Sequence, residues 1–150
     1  MKLMDFLISD AIEPEMKSTT KPEAIEELVA LLKRSGAIAD AGPVAEAILK
    51  REELGTTGIG EGIAVPHGKS DAVNKLVAAF GRSGKGVDFN SIDGQPVQLF
   101  FLLIAPKDSA GPHLMALARI SRLLKNRDFR KGLINAKNKA EILKICEAES

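Results

Sequence analysis

The chain has 150 residues, with 21 basic against 20 acidic side chains and a net charge of +1, so its overall charge points to neither nucleic acid nor an acidic partner. Its 45% hydrophobic and 27% charged content is ordinary for a globular domain in water. The single cysteine, Cys146, excludes an internal disulfide framework and a cysteine-rich zinc site, and the absence of tryptophan and tyrosine removes most stacking platforms for single-stranded nucleic acid.

One α/β domain over residues 1–150 is expected, because no linker, repeat or low-complexity tract interrupts the pattern. The N-terminal segment carries Asp5, Asp10 and Glu13 among its apolar residues, unlike a signal peptide. Nothing approaches the roughly 20 apolar residues of a membrane span. A cytoplasmic protein with no direct membrane insertion is the expectation.

In chain order, a short strand is predicted near residues 11–12. Thr20 is placed to cap a helix with Pro22 and Glu23 in its first turn and Ile25, Leu28, Val29 and Leu32 on one face, ended by Gly36. Asp40 opens a second helix through Pro43, with Val44, Ala47, Ile48 and Leu54 at helical spacing and Arg51 near its end. The stretch 51–69, REELGTTGIGEGIAVPHGK, follows. Its glycines at 55, 58, 60, 62 and 68 argue against a helix or an ordinary strand and for special backbone geometry. They deliver Ile63, Ala64 and Val65 as a short apolar strand, after which Pro66 stiffens the exit before His67.

Residues 76–80 read as a buried strand broken by the glycines of 81–86. Residues 97–104, VQLFFLLI, form the most hydrophobic segment and are predicted to be a central strand covered on both faces. A loop over 108–111 leads into a helix beginning at Pro112, with Leu114, Leu117, Ile120 and Leu124 facing the core. Two further helices are predicted over 128–135 and 139–148.

The two histidines, His67 and His113, both follow a proline. His113 is expected in the first turn of its helix, where free N–H groups and the positive end of the dipole favour an anion and keep an imidazole neutral. Neutral imidazole is a nucleophile, and a phosphoryl group on it needs donors from backbone, arginine or a second histidine. Arg51 is a candidate, since its planar guanidinium can hold two phosphoryl oxygens. By residue type alone, His67 reads either as a phosphoryl acceptor or as a solvated loop histidine.

The residues Arg51-Glu52, Thr57-Gly58-Ile59-Gly60, Gly62, Ala64 and Pro66-His67-Gly68 closely resemble the active-site signature of the fructose/mannitol/nitrogen-regulatory EIIA domains of the bacterial phosphoenolpyruvate-dependent phosphotransferase system. The resemblance continues through 92–97, the apolar strand and the segment 113–117, and spans nearly the whole chain. It implies a three-layer α/β/α sandwich around a mixed sheet, in the order β, two helices, three strands, three helices. It implies that His67 takes a phosphoryl group through Nε2 from the phosphocarrier protein HPr or a paralogue, that His113 stabilises the phosphorylated form, and that Arg51 belongs to the same pocket. Onward partners would be an EIIB domain in sugar uptake or regulatory targets in the nitrogen branch, where no sugar step occurs. No cofactor and no metal is implied. A free-standing EIIA is compatible with either branch.

Glu61 is expected to be able to orient an imidazole N–H, and Thr57 to bond either a phosphoryl oxygen or backbone groups. The glycine loop lacks both the Lys-Ser/Thr ending of a P-loop and the G-x-G-x-x-G frame after a strand, and neither histidine has a third metal ligand at a recognisable spacing. The basic stretch Arg119, Arg122, Lys125, Arg127, Arg130 and Lys131 reads as a solvated face or a protein-docking rim before a nucleic-acid patch, and Cys146 as a buried small hydrophobe.

Overall fold

The computed structural model describes residues 1–149. A 3-10 turn at Leu3–Asp5 leads into β1 (Leu7–Glu13), α1 (Lys21–Arg34) and α2 (Ala41–Glu53). Five strands follow: β2 (Gly58–Gly60), β3 (Ile63–Ala64), β4 (His67–Lys69), β5 (Val77–Val87) and β6 (Val97–Ala105). The chain then forms α3 (Ala110–Lys125), α4 (Arg127–Asn135) and α5 (Lys139–Glu147).

The sheet is mixed, in the order β1-β5-β6-β3-β2, with β4 also on β6. β6 is its spine: it pairs antiparallel with β5 and parallel with both β3 and β4. Its near-continuous apolar sequence is what a strand covered on both faces needs, and every residue but Gln98 is buried. Alternation sorts the side chains between two cores. Phe100, Leu102 and Ile104 join residues of α1 and α2, whereas Leu99, Phe101 and Leu103 join residues of α3, α4 and α5.

Several local expectations are corrected. The glycine stretch contains two further short strands, β2 and β4, because glycine permits the tight turn between β2 and β3. Glu61 (φ 59°) and Gly62 (φ 74°) both take the left-handed region there, as a two-residue hairpin turn requires. β5 is not broken at Gly81; it runs to Val87 with a register shift against β6 beyond Arg82. β1 is longer than predicted, and α3 starts at Ala110. Neither Thr20 nor Asp40 makes a side-chain cap; Glu23 instead accepts from the Thr19 N–H and hydroxyl. The capping oxygens come from Asn126 at α4 and Asn138 at α5. Cys146 is fully buried, and burial pushes its thiol pKa up to about 12.

Candidate functional site

His67 opens β4, directly opposite Leu103 on β6. Paired residues share a face of the sheet, and Leu103 packs into the α3-side core, so the His67 imidazole faces α3. Gly68, next along, points the other way. A Cβ there would lie 3.3 Å from the carbonyl carbon and oxygen of Ala47 and from Ile48 Cγ1, so the absence of a side chain lets α2 lie directly on β4. One turn beyond that contact is Arg51.

The His67 ring is fixed by the short connection that leads into its strand: Nδ1 lies 2.9 Å from the Val65 carbonyl oxygen. A carbonyl can only accept, so Nδ1 carries the proton and Nε2 keeps the lone pair. His67 is half-buried, and its pKa is lowered chiefly by burial; the Val65 carbonyl opposes this, while Arg51 lowers it further. The imidazole is therefore neutral at physiological pH.

His113 meets it from α3. The two ring centroids are 5.5 Å apart with planes inclined at 67°. His113 is only 4% exposed, and its Nε2 is buried with no hydrogen-bond partner. Such an atom is costly to leave unpaired and marks a place where a partner belongs. The His113 pKa falls to about 4, first through burial and then through the neighbouring His67 and Lys69 charges. The expectation that a helix start keeps this ring neutral thus needs correcting in its cause. His113 is the fourth residue of α3, and its own N–H donates to the Ser109 carbonyl at 3.1 Å.

Arg51 completes the group as a charge that acts on His67, while its Nη1 donates to the Gly55 carbonyl at 3.2 Å. Thr57 does not offer its hydroxyl to the site: the hydroxyl donates to buried Glu52, as does the Thr57 N–H at 3.0 Å. Glu61 is exposed in the hairpin turn, and its N–H donates to Asp93 Oδ2 at 3.2 Å.

Lys69 is not among the residues the sequence singles out; it lies two positions past His67 on the same strand face, which β alternation from His67 would have shown. Glu52 belongs to the signature that begins Arg51-Glu52, but the sequence assigns it no role; its charge has the wrong sign for its helix end. Exposed apolar side chains occur on the segments that carry the site: Leu54 (84%) just after α2, Ile59 on β2, and Leu114 (69%) and Met115 on α3. The basic stretch divides. Arg130 donates to the Leu124 carbonyl at 2.6 Å and closes the end of α3, whereas Arg122, Lys125, Arg127 and Lys131 are exposed.

This chain matches, over residues 5–149, the family described as phosphoenolpyruvate-dependent sugar phosphotransferase system, EIIA 2. The chain belongs to this EIIA family. It is 43% identical over 133 residues to a nitrogen regulatory protein of Bradyrhizobium diazoefficiens, covering 89% of this chain and 86% of that one. It is 41% identical over 145 residues to the fructose-specific EIIABC component of Bacillus subtilis, covering 97% of this chain but only 23% of that longer protein. Among solved structures, nitrogen regulatory protein IIA-Ntr from Neisseria meningitidis superposes with a TM-score of 0.86 at 32% identity, covering 95% of this chain and 97% of the other. EIIA domains are phosphotransfer components, and this one has both sugar-specific and nitrogen-regulatory relatives. Among the described residues, no helix is long and apolar enough to cross a membrane.

Proposed function

We propose that His67 is the phosphoryl acceptor of this domain, taking the group on Nε2 from a phosphohistidine of HPr or a paralogue. The observation that carries the reading is the Nδ1–H···O=C bond to Val65, which leaves Nε2 as the nucleophile beside a second, buried histidine. The Nε2–P bond forms as the donor's N–P bond breaks, with the bonding pair left on the donor nitrogen. The moving unit is PO3⁻, so no proton has to cross, and the Nδ1 proton stays with Val65. His113 Nε2, carrying its proton, donates to a phosphoryl oxygen and gains the partner it lacks, while Arg51 offers a planar pair of donors. Transfer then depends on positioning and charge stabilisation.

Half-exposure of His67 and the apolar side chains of Leu54, Ile59 and Leu114 on the neighbouring segments suit a site that meets another protein face to face. In the sugar branch that protein is an EIIB domain. In the regulatory branch the phosphorylation state sets binding to other cytoplasmic proteins; relatives of both branches match this chain over most of their own length, a nitrogen regulatory protein and a fructose-specific EIIA component each over 86%, so the likeness supports the two alike.

The test is incubation with labelled phosphoenolpyruvate, enzyme I and HPr or its paralogue. Acid-labile, base-stable label is expected on the wild-type protein and none on His67→Ala. Label on that variant, or none on wild type, overturns the reading. Onward transfer to a purified EIIB separates the sugar branch from the regulatory one.

A further inference from the structure

Two charges stand at helix ends that disfavour them. Lys21 is the first residue of α1, at the positive end of that helix, and Glu52 lies in the last turn of α2, at the negative end. They pair with each other. Lys21 Nζ is 2.8 Å from Glu52 Oε2, with side chains 16% and 3% exposed, and the ammonium also stands 4.8 Å from the centre of the Phe89 ring. A buried ion pair adds little stability over apolar residues of the same shape, so stability is a weak reason for breaking two local preferences.

The network instead shapes a turn. Glu52 accepts from both the N–H and the hydroxyl of Thr57, which closes residues 53–57 from the inside. From the other side, Arg51 Nη1 donates to the Gly55 carbonyl in the middle of the same turn. The guanidinium rests on a carbonyl whose place depends on Glu52.

We infer that Glu52, held by Lys21 and Thr57, is a positioning residue for the phosphoryl step: it fixes turn 53–57 so that Arg51 stands where it can bind the group on His67. Lys21 holds the Glu52 carboxylate from the far side at 2.8 Å, which keeps it turned toward Thr57. This rests on the proposed role of His67.

The test is a double-mutant cycle on the rate of phosphoryl uptake from phosphorylated carrier protein, using Glu52→Gln and Arg51→Ala. Glu52→Gln alone is expected to slow uptake about 10- to 100-fold, as for a misplaced catalytic group. In the Arg51→Ala background the same change is expected to matter by less than about twofold, because its effect runs through Arg51. Multiplying effects, or a wild-type rate for Glu52→Gln, overturns the inference. Should Glu52→Gln fold poorly, Thr57→Val removes only the hydroxyl and is expected to slow uptake, with Thr57→Ser restoring it; equal rates for the two overturn the inference. The Arg51 Nε–H resonance gives an arm independent of phosphorylation. It is expected to be sharp in wild type and Thr57→Ser and averaged in Glu52→Gln and Thr57→Val; an unchanged signal counts against the positioning role even if His67 takes no phosphate.

Discussion

His67 and His113 stand edge to face, 5.5 Å apart between ring centroids, one ring tied by Val65 to the connection before its strand and the other buried at the start of a helix with its Nε2 unpaired among the described residues. A dianionic phosphoryl group on His67 favours the protonated form of the ring beside it. The His113 pKa, about 4 in the free protein, is therefore expected to rise by more than about one unit on phosphorylation. Imidazole nitrogen shifts followed by NMR across pH, before and after phosphorylation, measure this. An unmoved His113 would mean that the two rings do not share the group.

The same depressed pKa links pH to stability. In the unfolded chain His113 titrates near its ordinary value of 6.5, and in the folded protein near 4. Between those values the unfolded state binds more protons, so stability is fully present above about pH 6.5 and is lost as pH falls toward 4. The loss is of order 3 kcal/mol for His113, and the lowered His67 pKa acts in the same direction. Urea unfolding at pH 7, 5 and 4 should show a shallower decline for His113→Gln than for wild type. Parallel declines would remove His113 as the cause.

Gly68→Ala places a methyl group 3.3 Å from the α2 backbone at Ala47. The α2 backbone must then give by a few tenths of an ångström against β4, and the expected cost is about 1–3 kcal/mol. Because Arg51 lies one turn further along that helix, phosphoryl uptake should slow as well. Thermal melting and the uptake rate measured on the same variant test the link, and a destabilised protein with wild-type uptake would break it.

Arg82 provides the complementary case. Its Nε donates to the Pro14 carbonyl at 3.1 Å and its Nη1 to the Leu133 carbonyl at 2.8 Å, tying β5 to the chain after β1 and to the end of α4. It pairs with Leu99 near the start of β6, whereas His67 pairs with Leu103 near its end. Arg82→Ala should lower stability by about 1–3 kcal/mol while leaving uptake within about twofold of wild type. Melting curves and uptake rates again decide it; a large loss of uptake would show that the two ends of the sheet are coupled.

Apolar periodicity made most of the architecture readable. The helical face of α1 and the unbroken run of β6 each have one physical explanation, burial, and the structure follows it; in α2 and α3 the pattern held for Val44, Ile48, Ile120 and Leu124 but not for Leu54 and Leu114, which are exposed beside the site. The two histidines stood out as candidates by residue type and by following a proline, but residue type left His67 open between phosphoryl acceptor and loop histidine, and their proposed roles come from the resemblance; that the two rings lie side by side was not legible, because β4 and α3 are far apart in sequence. What escaped were features set by partners distant in sequence. β2 and β4 are held by β3 and β6, so glycine propensity was overruled by pairing. Thr57 was legible as a polar loop residue and Glu52 as part of the signature, but their pairing was not, because nothing local in the sequence turns Glu52 inward. Its inward turn depends on Lys21, 31 residues away. The neutrality of His113 was anticipated from the helix dipole, yet burial dominates it, and burial depends on the packing of the whole α3 layer.

The most direct measurement of the central claim is a phosphorus-coupled nitrogen-15 NMR spectrum of the phosphorylated protein. The account predicts phosphorus coupled to Nε2 of His67, with Nδ1 of the same ring still protonated toward Val65. Coupling to Nδ1, or a phosphoryl group carried by His113, would contradict it.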